Sequence, residues 1–244
     1  MNIKPDSFLT GARYFLRGFH IIQRPGIRRY VLLPLSINTV LFSLLIAWGT
    51  GQFNHLLKWL LPTWLDWLSW LLWPLFAAIV SVLVFSIFIH LGNLLSAPFC
   101  GPLSEAVEAH LKGLSAKRET DWQTIFLNLW PSLVSEFKKI VYFILRGIPL
   151  LILFIIPVMN LIAPFLWIIF SAWMISLEYV DFPMSNHGLL FEKQRKQLQE
   201  KRFMVFGFGG ATLLMLMVPG LNFLTMPTAV AGATVMWVEQ FEDA

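Results

Sequence analysis

Two long apolar runs in the first hundred residues are each long enough to cross a lipid bilayer. The first extends from Val31 to Trp48 and the second from Pro74 to Leu95. Eighteen residues of helix cover about 27 Å, close to the roughly 30 Å thickness of the hydrocarbon core. The pattern therefore predicts two transmembrane helices, which we place at residues 30–50 and 74–96.

Amphipathic segments lie before, between and after these two runs. In residues 2–23 phenylalanines recur on one helical side, while Arg13 and Arg17 fall on the other. This is typical of a helix on the membrane surface, although an ordinary soluble helix has the same pattern. Five tryptophans in residues 53–73 indicate a second surface segment on the periplasmic side. Residues 98–140 predict cytoplasmic helices.

Two further apolar regions are each interrupted by a Pro-Asn turn. Residues 141–180 turn at Ile156–Asn160, and residues 203–239 turn at Val218–Asn222, which is an internal repeat. The arms of the first region are too short to reach the far side of a bilayer, while the second has longer arms. The repeat predicts two similar helical hairpins packed together.

The composition places the whole chain in lipid. Of its 244 residues 57% are hydrophobic and 13% are charged, and the mean hydropathy is +0.68. Soluble domains are about 25% charged. We therefore predict an all-α integral membrane protein with one membrane domain over residues 1–244. The net charge of +4 fits basic cytoplasmic loops better than nucleic-acid binding.

The positive charges indicate which segments share a side of the membrane. All of the 18 lysines and arginines except Lys58 lie before the first span, between residues 98 and 146, or between 193 and 202. These segments should all be cytoplasmic. Both hairpins must then return the chain to that side, so we predict that they are re-entrant. Broken backbone at membrane depth needs protein around it, which favours an oligomer.

Three arginines and a Pro-Gly bend precede the first span, in Arg24-Pro25-Gly26-Ile27-Arg28-Arg29-Tyr30. A helix that begins near Arg28 directs N–H groups and a positive dipole end towards an anion. Gly26 would allow close approach of the backbone, and Arg28 and Arg29 would add bidentate hydrogen bonds. These features suit a tetrahedral dianion. Basic residues before a span also serve as topology signals and lipid-headgroup contacts.

Polar residues in and after the second span are candidates for a transport pathway. Ser86, His90 and Asn93 share one helical face, which is either a pathway or a hydrogen-bonded packing face. The sequence Ser-Ala-Pro-Phe-Cys-Gly-Pro over residues 96–102 predicts a helix end, with a restart at Leu103. Glu105 and Glu108 follow one turn apart, where they suit acid–base work or stabilise a helix N-terminus.

The sequence contains no motif for several other kinds of site. There is no nucleotide-binding GxxxxGK[ST] loop, and the five histidines lack metal-ligand spacing. Neither Ser/His/Asp nor Cys/His order points to a nucleophile, so we predict no enzyme, metal or cofactor. Gly207 and Ala211 lie four residues apart in an apolar arm, and we interpret them as a helix-packing face.

Taken together, these features resemble the CysZ family of bacterial sulfate permeases. The resemblance rests on the amphipathic start, the Pro-Gly-Ile-Arg-Arg bend, the segment NLLSAPFCGPLSEAVE and the two Pro-Asn hairpins. It implies an inner-membrane oligomer that imports sulfate for cysteine biosynthesis. A Gly-Leu-Arg motif associated with sulfate in the family falls on Gly26, Ile27 and Arg28, with Arg29 adjacent. Asn-Asp is expected after Ala-Pro-Phe, but Cys100-Gly101 stands there.

The resulting hypothesis is a multi-pass sulfate permease with sulfate and membrane lipid as its partners. The alternative is a membrane scaffold or lipid-organising protein that transports nothing. The short hairpins, the surface helices and the lack of an energy-coupling motif favour this alternative. An enzyme acting on lipid is a third and weaker reading.

Overall fold

A computed structural model describes residues 6–60, 69–114, 122–218 and 222–242, and all regular structure within these ranges is helical. This confirms the all-α prediction. The chain divides into two compact units, Met1–Arg28 with Cys100–Ala244 and Arg29–Phe99. The helices are α1 (Phe8–Ile21), α2 (Arg28–Leu60), α3 (Ser69–Lys112), α4 (Trp122–Leu153), α5 (Ala163–Asn186), α6 (Phe191–Glu200), α7 (Arg202–Leu216) and α8 (Asn222–Gln240).

Helix α1 packs against α7 and α8 through a face of small residues. A Cβ atom on Gly11 would lie 1.8 Å from the carbonyl oxygen of Met204, and one on Gly18 would lie 2.2 Å from that of Thr228. Such close approach of two helices is possible only without a side chain. Of the large apolar side chains expected to hold α1 on a membrane, Phe15 is buried at 3% exposed, whereas Leu9 at 70% lies on the outer face. Membrane contact of that outer face stays a prediction.

Helix α7 lies at the centre of the larger unit, between α1 and α5. A Cβ atom on Gly207 would lie 2.0 Å from the carbonyl oxygen of Phe8, and one on Gly209 would lie 1.8 Å from that of Ala172. The hydroxyl of Ser176 donates a buried hydrogen bond of 2.7 Å to the carbonyl oxygen of Val205. The predicted packing role of Gly207 is confirmed.

Helices α4 and α5 form the first hairpin, and α4 is longer than the sequence pattern indicated. Its 32 residues join the predicted cytoplasmic helix, ending at residue 140, to the predicted hairpin arm. No glycine or proline stands between residues 132 and 146 to end a helix there. The turn holds a short 3-10 segment, Met159–Leu161, and Pro164 lies in the first turn of α5.

One buried lysine ties α4 to α5. The Lys139 side chain is 8% exposed, and its Nζ lies 3.0 Å from carboxylate oxygens of both Glu136 and Asp181 and 3.6 Å from one of Glu178. Burial alone would lower the pKa of Lys139, but the charges of Asp181 and Glu178 raise it well above its usual value. The ammonium is therefore held in its charged form.

Helix α5 differs from the short arm that the sequence predicted. Its 24 residues have a mean hydropathy of 1.5 over the most apolar window, so α5 is by length and composition apolar enough to cross a membrane. The predicted arm counted 13 residues, up to the first acid, but the helix continues past Glu178 and Asp181. How deeply the hairpins enter the bilayer stays a prediction.

Helix α3 corrects the predicted break at residues 96–102. It is continuous over 44 residues and contains Pro98, Gly101 and Pro102. A proline removes one helical hydrogen bond, but packing on the following turn can hold the helix together, and Leu103 and Val107 are 2% and 0% exposed. Residues 61–68, in the predicted periplasmic segment, lie outside the described residues.

Candidate functional site

A tight turn joins α1 to α2 and positions the arginine cluster. The N–H of Ile22 donates to the carbonyl oxygen of Gly18 at 3.0 Å, and the N–H of Arg24 donates to that of Ile21 at 3.0 Å. Gly26 has φ +91°, a conformation that glycine adopts without strain. The turn is anchored by Ile27, which is 3% exposed. The predicted Pro-Gly bend is therefore present, and it presents a fixed backbone at its exposed side.

Helix α2 begins at Arg28, as the sequence predicted, and its first turn is partly capped. The carbonyl oxygen of Arg24 accepts hydrogen bonds from the N–H groups of Ile27 at 3.2 Å and Arg28 at 3.1 Å. These two donors are therefore already used. Because the next N–H groups of a helix have no partner within it, Arg29 and Tyr30 are the backbone donors left for an anion.

The three guanidinium groups of this turn are exposed. Within the described residues Arg24, Arg28 and Arg29 form no ion pair with a carboxylate. Arg29 donates a 3.2 Å hydrogen bond to the hydroxyl of Tyr30, and its Cζ lies 4.9 Å from the centre of that ring. Tyr30 thus orients Arg29 without neutralising it. The cluster keeps its full positive charge, which an anion would need.

A cavity of about 270 Å³ adjoins Arg24 and brings in residues that the sequence did not connect with it. Its lining includes Arg17 and His20 from α1 and His110 from α3. The two histidines lie 90 positions apart in the chain, and nothing in their spacing predicted that they would meet. All four of these polar side chains are potential hydrogen-bond donors, so the cavity extends the basic surface beside the turn.

Arg17 is not free to bind an anion in this cavity. Its two terminal nitrogens donate to the two carboxylate oxygens of Glu239 at 2.8 and 2.5 Å, and Tyr14 donates to the same carboxylate at 3.0 Å. Burial, together with the charge of Glu239, raises the pKa of Tyr14 well above its ordinary value. This network joins α1 to α8, and its role is structural.

Glu108, one of the two predicted pathway carboxylates, is tied into an ion-pair cluster. His187 Nε2 lies 2.9 Å from one of its carboxylate oxygens, and Lys112 Nζ donates a 2.6 Å hydrogen bond to the other. Burial alone would raise the pKa of Glu108, but the hydrogen bonds from Lys112 and His187 lower it below its ordinary value. Glu108 is therefore charged and compensated at neutral pH. Glu105 lies one turn earlier on α3, half-buried.

The same cluster contains a group of possible metal ligands. Ligand atoms of Glu108, His187 and Glu242 lie within 4.8 Å of one another. The ammonium of Lys112, however, hydrogen-bonds to both carboxylates. It supplies the positive charge that a cation would otherwise bring, so the group is complete without a metal.

The remaining predicted pathway residues, Ser86, His90 and Asn93, lie on α3 in helical conformation, but their side chains lie outside the described part of the chain. The structure brings Glu105 and Glu108 together on one α-helical turn. The alignment of Ser86, His90 and Asn93 on one face stays a prediction.

Comparison with known proteins identifies the family. Residues 14–227 match the family described as sulfate transporter CysZ/etoposide-induced protein 2.4. A protein named sulfate transporter CysZ from Pseudomonas paraeruginosa is 42% identical over 235 residues, which cover 95% of this chain and 96% of that protein. One of the same name from Salmonella typhimurium is 41% identical over 241 residues, covering 94% and 92%. The chain belongs to the sulfate transporter CysZ/etoposide-induced protein 2.4 family.

Proposed function

We propose that this protein is a sulfate permease of the bacterial inner membrane that supplies sulfate for assimilation into cysteine. Relatives at 41–42% identity over nearly the whole chain carry the name sulfate transporter. Within the molecule, the proposal rests on the exposed arginine cluster at the start of α2, which has no acidic partner among the described residues. No covalent step is part of this function, and none of the residues discussed has to act as a catalyst.

Sulfate docks, in this proposal, on the turn that contains Gly26, Ile27, Arg28 and Arg29. Gly26 and Ile27 fix the backbone, and the two arginines supply the positive charge. A guanidinium group can donate two parallel hydrogen bonds to an oxyanion, and the N-terminus of α2 adds the favourable end of the helix dipole. Four oxygens and two negative charges let sulfate engage both arginines at once.

The strength expected of such a site follows from the number of charged contacts. A hydrogen bond to a charged group contributes about 1.5–3 kcal/mol, so a single such bond from each of two arginines contributes roughly 3–6 kcal/mol. This corresponds to dissociation constants from the millimolar range down to tens of micromolar. Affinity of this order lets an anion bind and leave again, which transport requires.

The membrane arrangement that we propose keeps the predicted segments 30–50 and 74–96 as spans. They lie within α2 and α3, whose 33 and 44 residues exceed the roughly 20 that a membrane-crossing helix needs. The hairpins α4–α5 and α7–α8 then enter from the cytoplasm, where the basic loops lie. In this arrangement the arginine turn is cytoplasmic and receives sulfate at the exit end of the path. An oligomer would enclose the hairpin tips.

The pathway in this proposal follows the polar face of α3. Ser86, His90 and Asn93 would contact sulfate within the membrane, and Glu105 and Glu108 lie beyond them. An uncompensated carboxylate would repel a dianion. The pairing of Glu108 with Lys112 and His187 removes that obstacle.

Calorimetric titration of the purified protein with sulfate tests the docking site. Replacing both arginines, as Arg28→Ala with Arg29→Ala, should weaken binding at least a hundredfold, because it removes roughly 3–6 kcal/mol of contacts. The matched control is Lys193→Ala with Lys196→Ala, which removes the same charge from exposed positions of α6. Equal sulfate affinity in both double variants would rule out the assigned turn.

A further inference from the structure

A second basic feature lies on other helices of the larger unit and shares no residue with the α1–α2 turn. A cavity of about 680 Å³ opens between α4, α5 and α7, and we call it the α4–α7 groove. One part of its lining is apolar and the other carries two arginines. The lining includes Tyr142, Arg146, Leu166, Phe170, Trp173 and Arg202.

The arginines of the α4–α7 groove lack acidic partners. Arg146 and Arg202 are exposed, and neither forms an ion pair with any described carboxylate. A third guanidinium, that of Arg195, lies 5.3 Å from the centre of the Tyr142 ring, and that of Arg146 lies 5.4 Å from it. The Nε atom of Arg195 is buried without an acceptor. Two guanidinium groups therefore lie near the Tyr142 ring, and Arg202 adds a further positive charge to the lining. Together they create a positive site that an anion would neutralise.

The rest of the lining is mostly apolar, and it contains one buried donor without an acceptor. Trp173 is 7% exposed, and its indole N–H has no acceptor among the described residues. Exposed apolar side chains continue from the groove along the outer faces of α4 and α5, for example Leu151 at 52% and Ile169 at 52%. An inorganic anion would satisfy the arginines but leave this surface uncovered. A phospholipid covers both, with its phosphate at the arginines and its acyl chains along the helices.

We propose that the α4–α7 groove binds an anionic phospholipid. Arg146 and Arg202 contact the phosphate, while Leu166 and Phe170 contact the acyl chains. Basic pockets between membrane helices on the cytoplasmic side are suited to anionic headgroups. The bound lipid would fill the space between α4 and α5 and join them to α7. This site is separate from the sulfate turn and does not depend on its assignment.

Native mass spectrometry of the full-length protein with palmitoyl-oleoyl phosphatidylglycerol tests the groove. An arginine near an anionic headgroup contributes about a fivefold factor in affinity. The double variant Arg146→Gln with Arg202→Gln should therefore bind phosphatidylglycerol about thirtyfold more weakly. The control, Lys193→Gln with Lys196→Gln, makes the same change in net charge on α6 and should bind like the wild type. Circular dichroism verifies that both variants keep their helices.

Two measurements on the wild-type protein keep the test decisive even if a variant fails to fold. Phosphatidylglycerol should be retained in preference to phosphatidylcholine, and millimolar sulfate should not displace it. Equal retention of the two lipids, or equal loss from both double variants, would overturn the proposal. Complete displacement by sulfate would show a site for inorganic anions instead, which also overturns it.

Discussion

Two neighbouring glycines of α7 offer the most controlled test of how the helices pack. A Cβ atom on Gly209 would lie 1.8 Å from the carbonyl oxygen of Ala172 and 2.4 Å from the hydroxyl of Ser176, whereas one on Gly210 meets nothing within 4 Å. Both positions are helical. Gly209→Ala and Gly210→Ala therefore make the same chemical change with opposite steric consequences.

The magnitude for Gly209→Ala follows from three contributions. To accommodate the methyl group, the contact with Ala172 must open from 1.8 Å to at least 3.0 Å, and overpacking of this kind costs about 1–3 kcal/mol. Displacement of Ser176 breaks its buried hydrogen bond to Val205, at a cost of about 1–3 kcal/mol. Alanine regains about 1 kcal/mol over glycine in a helix. The net loss is about 1–5 kcal/mol, centred on about 3 kcal/mol, while Gly210→Ala should gain up to about 1 kcal/mol.

Thermal unfolding in detergent, followed by circular dichroism, measures the difference. One kcal/mol shifts the Tm of a chain of this size by about 2–4 °C, so Gly209→Ala should lower it by roughly 5–15 °C. Gly210→Ala should leave the Tm unchanged or raise it slightly. Equal Tm values for the two variants would refute the close crossing of α5 and α7.

Two further predictions concern the ion pairs. Lys139→Gln leaves the half-buried Asp181 and the exposed Glu136 and Glu178 without their cation. It should cost about 2 kcal/mol in the free energy of unfolding, less than the loss of a fully buried pair because two of the acids are more than half exposed. Lys138→Gln, at an exposed neighbouring pair, should change it little, and equal effects on denaturant midpoints would contradict the buried role of Lys139. Because the folded-state pKa of Glu108 is lowered, its contribution is present above the ordinary glutamate value of 4.5 and is lost as pH falls through the lowered pKa. Glu108→Gln should therefore be less stable than wild type at pH 7, with the difference closing on acidification, and a constant difference would contradict the pairing.

The arginine turn could be predicted from the sequence because its determinants are local. Pro25 and Gly26 specify a bend, and the following apolar run specifies a helix that begins at Arg28. The partial capping of that helix by Arg24 is different. The capping hydrogen bonds form only when the turn closes, and no single residue type predicts them.

The packing of α1 could not be predicted from hydrophobic periodicity. The pattern depends on large side chains, whereas the closest approaches are made at Gly11 and Gly18, where the backbones of two helices meet directly. The predicted break of α3 at residues 96–102 was wrong for a related reason. Proline rules describe isolated helices, and packing on the following turn overrides them here. That His20 and His110 line the same cavity depends on tertiary structure alone.

Uptake of radiolabelled sulfate into proteoliposomes is the measurement that tests the central claim most directly. The wild-type protein should accumulate sulfate well above empty liposomes. The Arg28→Ala/Arg29→Ala variant should approach the empty-liposome level, while the Lys193→Ala/Lys196→Ala control keeps wild-type uptake. Wild-type uptake no greater than that of empty liposomes would contradict the proposed permease and favour a membrane scaffold.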